Sequence, residues 1–107
     1  MKLHTAELRA SLPPLYSQEH NQDPVVHCKF FTPWSNWTWF VTEGEPEEDD
    51  FRFFGYCLLP RREWGYFVLS ELESVRGPAG LTIERDLHFS AAPFSEVISR
   101  YRQEHGQ

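Results

Sequence analysis

The spacing of apolar side chains changes period twice along this chain, and the changes mark its elements. Leu8 and Leu12 stand four apart and share one face of a short helix, which Thr5 can cap and Pro13-Pro14 must end. Residues 16–24 are polar and read as a loop. From Val25 the period becomes two, with Val26, Cys28 and Phe30 opposing His27, Lys29 and Phe31. A turn over 32–36 precedes a second alternating run, in which Trp37, Trp39 and Val41 oppose Thr38, Phe40 and Thr42. Phe51, Phe53, Gly55 and Cys57 then alternate with Arg52, Phe54 and Tyr56. Beyond a turn at 60–63, Trp64, Tyr66 and Val68 alternate with Gly65, Phe67 and Leu69.

Both faces of these four predicted strands are apolar, so the sheet is either covered on both sides or carries an exposed aromatic face. Ser70 and Glu73 have the spacing of a capping box, and Gly77-Pro78 would stop the short helix they open. Residues 81–89 show the cleanest alternation: Leu81, Ile83, Arg85, Leu87 and Phe89 oppose Thr82, Glu84, Asp86 and His88. Phe94, Val97, Ile98 and Tyr101 return to helical spacing, with Pro93 suited to the first turn. Consecutive strands with short turns favour antiparallel pairing, because parallel neighbours need long crossovers. The predicted architecture is α+β: a mostly antiparallel sheet of about five strands, with a short N-terminal helix and a C-terminal helix packed on it. With 107 residues and no linker or repeat, residues 1–107 form one predicted domain.

Charge adds one feature that periodicity does not show. The net charge is −6, and six acids crowd into one stretch: Glu43, Glu45, Glu47, Glu48, Asp49 and Asp50. The other ten acids balance ten bases, so the whole excess lies there. With Gly44 and Pro46 as breakers, this stretch reads as an acidic loop. Thirteen of the seventeen aromatic residues fall between Phe30 and Phe67, with Trp34 and Trp37 just ahead of the acids. Aromatics of this density serve first as core, while Trp and Tyr also dominate contact surfaces. Trp34, Trp37 and the six acids are therefore the candidate partner-binding residues, and a protein with a basic surface is the partner they suit.

Other chemistries find less support. No Lys/Arg cluster makes the basic footprint of a nucleic-acid binder; a weak single-strand platform would have to use Trp34, Trp37, Lys29 and Arg52. Clustered carboxylates suit calcium, but the EF-hand pattern is absent. His27 and Cys28 would point to opposite faces of one strand, and close paired ligand spacing for zinc is missing. No cofactor motif, phosphate loop or serine-hydrolase elbow is present. A carboxylate enzyme would have to draw on Glu63, Glu84 or Asp86, with Arg85 in a structural ion pair. The first fifteen residues lack the apolar stretch of a signal peptide, and no run approaches the ~18 apolar residues of a membrane span. A cytoplasmic setting with Cys28 and Cys57 as free thiols is the expectation.

The segments KFFTPWSNWTWFVTEGEPEEDDFRFFGY (29–56), EWGYFVLSELESVRGPAGLTIERD (63–86) and ELRASLPPLYSQE (7–19) resemble a family of small bacterial proteins known only as a domain of unknown function. The similarity extends to about residue 90. It implies an origin as cargo of plasmids, integrative elements and phages, often near anti-restriction or conjugation genes, and it brings no catalytic residues. Together with the charge pattern, it leads to the expectation of a non-enzymatic interaction module in an accessory or anti-defence role.

Overall fold

The computed structural model describes residue 3 and residues 6–106; the Thr5 cap lies outside the described residues. The predicted α+β architecture is present. Helix α1 (Ala6–Ser11) is followed by β1 (Val25–Val26), β2 (Cys28–Phe31), β3 (Thr38–Glu47), β4 (Asp50–Leu58) and β5 (Arg62–Val68). Helix α2 (Leu69–Ser74), β6 (Glu84–Arg85), β7 (Ala92–Pro93) and α3 (Phe94–His105) complete the chain. Strands β2 to β5 form an antiparallel meander. The fifth member, β6, returns to the far edge, so the sheet order is β5-β4-β3-β2-β6.

Each face of the sheet has its own apolar layer. On one face Cys28, Phe30, Trp39, Val41, Phe51, Phe53, Cys57 and Phe67 pack beneath Leu8 and Leu12 from the N-terminal segment, Leu72 of α2 and Ile83. On the other, Phe40 and Leu58 meet Val97, Ile98 and Tyr101 of α3, which are the residues that helical spacing singled out. Phe40 and Tyr101 make an edge-to-face pair with centroids 5.8 Å apart. Asp23 holds the start of α3 from a distance: its carboxylate accepts the Ser95 amide at 2.8 Å and the Ser95 hydroxyl at 2.6 Å.

Four local expectations change. The run 25–31 is broken at His27, whose amide donates to the Val41 carbonyl at 2.8 Å. Val26 therefore lies in the α3 layer while Cys28 and Phe30 lie in the opposite one, because β1 leaves the main sheet to pair with β7. The strand expected over 81–89 shrinks to Glu84–Arg85, leaving Leu81 and Leu87 exposed. Its partner β2 is only four residues long, and Asp86 then turns the chain by accepting the His88 amide at 2.9 Å.

The predicted capping box does not form; half of one stands two residues back. Val68 occupies the N-cap and Glu71 accepts its amide at 3.3 Å, while the Ser70 hydroxyl donates to Asp50. Gly77 lies past the end of α2 and serves a different purpose: a Cβ there would stand 2.4 Å from the Trp34 indole. The fourth change concerns the acids. Residues 43–47 are the second half of β3, and Glu48-Asp49 form a two-residue turn into β4, with Glu48 at φ 54°.

Candidate functional site

A bulge at Thr42 decides what the acidic stretch does. Up to Val41 the β3–β4 register pairs Phe40 with Tyr56 and Val41 with Gly55; past the bulge it pairs Glu43 with Phe54 and Glu45 with Arg52. One extra residue reverses the inward–outward parity of everything after it. Without it, Glu43 and Glu45 would point into the layer built on Phe51 and Phe53. With it, Gly44 and Pro46 take that side, and the three glutamates line up with Arg52 and Phe54 on the α3 side.

Beyond Val41, β2 no longer flanks β3, and the segment after α1 takes its place. The Gly44 amide donates to the Pro13 carbonyl at 2.9 Å. Pro46, two residues on, points its nitrogen to the same side, where no ladder bond is required of it. Glu43 is 4% exposed and holds this segment down: one carboxylate oxygen accepts the Tyr16 amide and the other the Gln18 amide, each at 2.8 Å. Glu45 accepts the Leu15 amide at 2.9 Å. Tyr16 sits at φ 71°, the left-handed conformation that lets nearby amides converge on an anion. The Gln18 amide group donates to the carbonyls of Thr42 (2.9 Å) and Val25 (3.0 Å) and accepts the Val25 amide (2.8 Å).

The remaining acids divide as follows. Glu47 is bound by the Arg52 guanidinium, with its Nη2 at 2.7 Å from the second carboxylate oxygen, and this hydrogen bond holds the Glu47 carboxyl below its ordinary range. Hydrogen bonds from the Ser70 hydroxyl and the Phe51 amide lower Asp50 likewise. Glu48 and Asp49 are exposed at the turn.

Next to these acids, β4 and β5 present aromatic rings on the α3 side, but α3 covers only part of them. Phe54 packs on Tyr66 (4.8 Å between centroids) and Trp64 (5.9 Å); Tyr56 and Trp64 continue to Phe94 at 5.0 and 4.8 Å. Trp64 stays 39% exposed, Tyr66 46% and Tyr16 59%. Tyr16 reaches across to Tyr66, with centroids 6.3 Å apart. Between these rings and residues 18–24 lies a cleft of about 430 Å³, whose floor includes Thr42 and Glu43. Both alternatives for a two-sided apolar sheet are thus realised, one on each half of this face.

The family-model comparison covers nearly the whole chain: residues 3–106 match the family described as "Protein of unknown function (DUF2958)". The chain belongs to that family. No curated protein and no solved structure matches it.

In this DUF2958 chain the residues singled out from sequence do not form one cluster. Trp37 is exposed, but it precedes β3 while Glu48 follows it, roughly 35 Å away for an extended strand of that length. Trp34 packs against the opposite apolar layer and over Gly77. Lys29 faces Asp86 at 4.0 Å and Arg52 is held by Glu47, so these two bases are already matched with acids. Glu84, Arg85 and Asp86 line a shallow surface pocket with Lys29, whereas Glu63 stands on β5 at the other edge of the sheet.

Burial pushes the Cys28 thiol up to about 12, against the opposing pull of Arg85, and pushes Cys57 up to about 11. Burial also lowers His27. Among the described residues, no group of three or more His, Cys, Asp and Glu is placed to hold a metal ion, and no helix is long and apolar enough to cross a membrane.

The signal for Phe54, Trp64 and Tyr66 was present in the sequence, whereas Tyr16 lay in a polar loop and gave none. Phe54 and Tyr56 share a parity on one strand, as do Trp64 and Tyr66 on the next, around Gly55 and Gly65. What the sequence did not show is where α3 stops.

Proposed function

We propose that this chain is a non-enzymatic interaction module, that it binds a protein with a basic surface, and that it acts as an accessory or anti-defence factor of a mobile genetic element. The observation that carries the binding role is the exposed ring row Tyr16, Tyr66 and Trp64 lying on the same sheet face as the acids of the β3–β4 hairpin. Half-exposed aromatics on a sheet whose hairpin turn carries unneutralised carboxylates offer apolar contact area together with long-range attraction for a cationic partner. Glu48 and Asp49 at the turn supply the attraction, and Trp64 and Tyr66 the contact. The mobile-element role rests on the family resemblance alone.

Immobilised protein should capture a partner that Trp64→Ala combined with Tyr66→Ala no longer holds. Glu48→Gln with Asp49→Asn should weaken capture at low salt and leave it unchanged at high salt, because exposed charges are screened. Capture unaffected by either pair rules the reading out. Loss of capture on nuclease treatment would instead favour the nucleic-acid alternative.

A further inference from the structure

We infer that the cleft between the β4–β5 rings and residues 18–24 receives the guanidinium of a single arginine side chain. The inference rests on the preceding reading and specifies the chemistry of the partner's contact. Three observations lead to it. First, the lining is aromatic: Tyr16, Phe54, Trp64 and Tyr66 border a cavity of about 430 Å³, with Phe54 and Trp64 stacked at 18°. That is ample for one planar side-chain end.

Second, the charge in the lining is of one sign. Among the described residues that line it, Glu19 and Glu43 are the only ionisable groups besides the tyrosines; the His20 ring, outside the lining, stands 3.4 Å from the Glu19 carboxylate. The Tyr66 hydroxyl responds to this environment: its pKa is raised by the hydrogen bond with Tyr16, then by burial, then by the negative charges nearby, Glu43 and Glu19 among them.

Third, the chain already makes such a contact with its own residues. The Arg52 guanidinium stands 6.0 Å from the centroid of the Tyr66 ring while bound to the Glu47 carboxylate. A guanidinium on an aromatic ring beside a carboxylate is therefore compatible with this surface, and the cleft offers the same set again with Trp64 or Tyr66 as the ring and Glu19 as the carboxylate.

Arginine fits better than lysine for a reason visible in the floor. Both Glu43 oxygens accept backbone amides, and the Gln18 amide group is engaged with Val25 and Thr42. An ammonium, compact and strongly hydrated, would give up water for few free acceptors. A guanidinium is more weakly hydrated and gains from stacking on the rings, while its edge reaches the exposed Glu19.

The test is an amide-resolved NMR titration of the intact protein with N-acetyl-argininamide, alongside its lysine and citrulline counterparts. The arginine compound should give saturable shifts at the Trp64 indole N–H and the amides of residues 16–22, in the millimolar range. The lysine compound should bind about threefold more weakly or worse, and the neutral citrulline isostere should give no saturable shift. Glu19→Gln, which alters an exposed side chain, should weaken the arginine compound about threefold; Tyr66→Leu should weaken it at least as much. Absence of saturable shifts in the cleft, equal response to citrulline, or shifts confined to the hairpin turn overturns the inference. If the cleft ignores arginine while Trp64 and Tyr66 still govern partner capture, the interaction module stands and only the arginine assignment falls. If arginine binds in the cleft while capture ignores those rings, the reverse holds.

Discussion

Glu43→Gln separates a structural acid from a solvated one. The glutamate is buried, and its two oxygens accept the Tyr16 and Gln18 amides at 2.8 Å each. Glutamine is nearly isosteric but presents one oxygen and one NH2 group. Whichever way it turns, one backbone N–H faces a donor, and the other loses a charge-assisted bond for a neutral one. An unsatisfied buried donor costs about 1–3 kcal/mol, and the weakened bond about 1 kcal/mol more. Part of this is recovered if residues 15–18 lift toward water, so a net loss of about 2–3 kcal/mol is expected. For a chain of this length that corresponds to a fall in Tm of about 10–15 °C.

Urea unfolding monitored by tryptophan fluorescence measures the loss, and amide hydrogen exchange locates it. Protection at Tyr16 and Gln18 should collapse in the variant before the β4 amides are affected. Glu48→Gln, five residues along in the same acidic stretch, should change stability by less than about 0.5 kcal/mol, as surface substitutions do. If Glu43→Gln is as neutral as Glu48→Gln and leaves the Tyr16 and Gln18 amides protected, the stretch behaves as a uniform solvated loop and the account of the bulge is wrong.

Three further outcomes follow from the same geometry. The carboxyls of Asp23 and Asp50 lie below their ordinary value of 3.8 through hydrogen bonds from Ser95 and Ser70, so they take up protons on unfolding. The stability they contribute is present above the unfolded pKa and is lost as pH falls through the folded one; Asp23→Asn with Asp50→Asn should flatten the decline of stability below about pH 4 in acid titrations followed by circular dichroism. Cys28 and Cys57, pushed up to about 12 and about 11, should resist iodoacetamide at neutral pH in the native protein and react once it is unfolded; rapid native modification would contradict their burial. Gly77→Ala places a methyl 2.4 Å from the Trp34 ring and should cost about 1–3 kcal/mol in chemical denaturation, with a shift in tryptophan emission as the indole is displaced.

The elements that were legible in the sequence are those whose partners are close in the chain. The β4 alternation from Phe51 to Cys57 is clean because hairpins to β3 and β5 hold both its edges, so its parity never breaks. The α3 stripe from Phe94 to Tyr101 is the exception: it packs on the distant Phe40 and Leu58, and it was legible because one helix face meets one sheet face and its spacing is never interrupted. The failures occurred where a distant segment took over. Residues 81–89 alternate better than any other run, yet only two of them pair as a strand, because β2 ends at Phe31 on one side and Asp86 turns the chain on the other. The 25–31 run alternates too, but β7 pulls Val25 and Val26 out of the sheet. In the acidic stretch, Glu43, Glu45 and Glu47 repeat every two residues as a strand should, while Gly44 and Pro46 suggested a break. A proline suits that strand only because β2 has ended and the partner segment, residues 13–18, does not need its amide.

By itself, the sequence determined the α+β class, the meander of four strands, the amphipathic last helix and the concentration of negative charge. All of these follow from local spacing and composition. The tertiary structure decided which face each residue after Thr42 occupies, which acids are buried ligands of backbone amides and which are free, and which aromatics α3 leaves uncovered. The physical reason is that parity along a strand is carried forward until a bulge resets it. Whether a bulge is tolerated depends on what lies beside the strand: here, residues 13–18 and the side chain of Gln18, which are remote in sequence from the Thr42 they support.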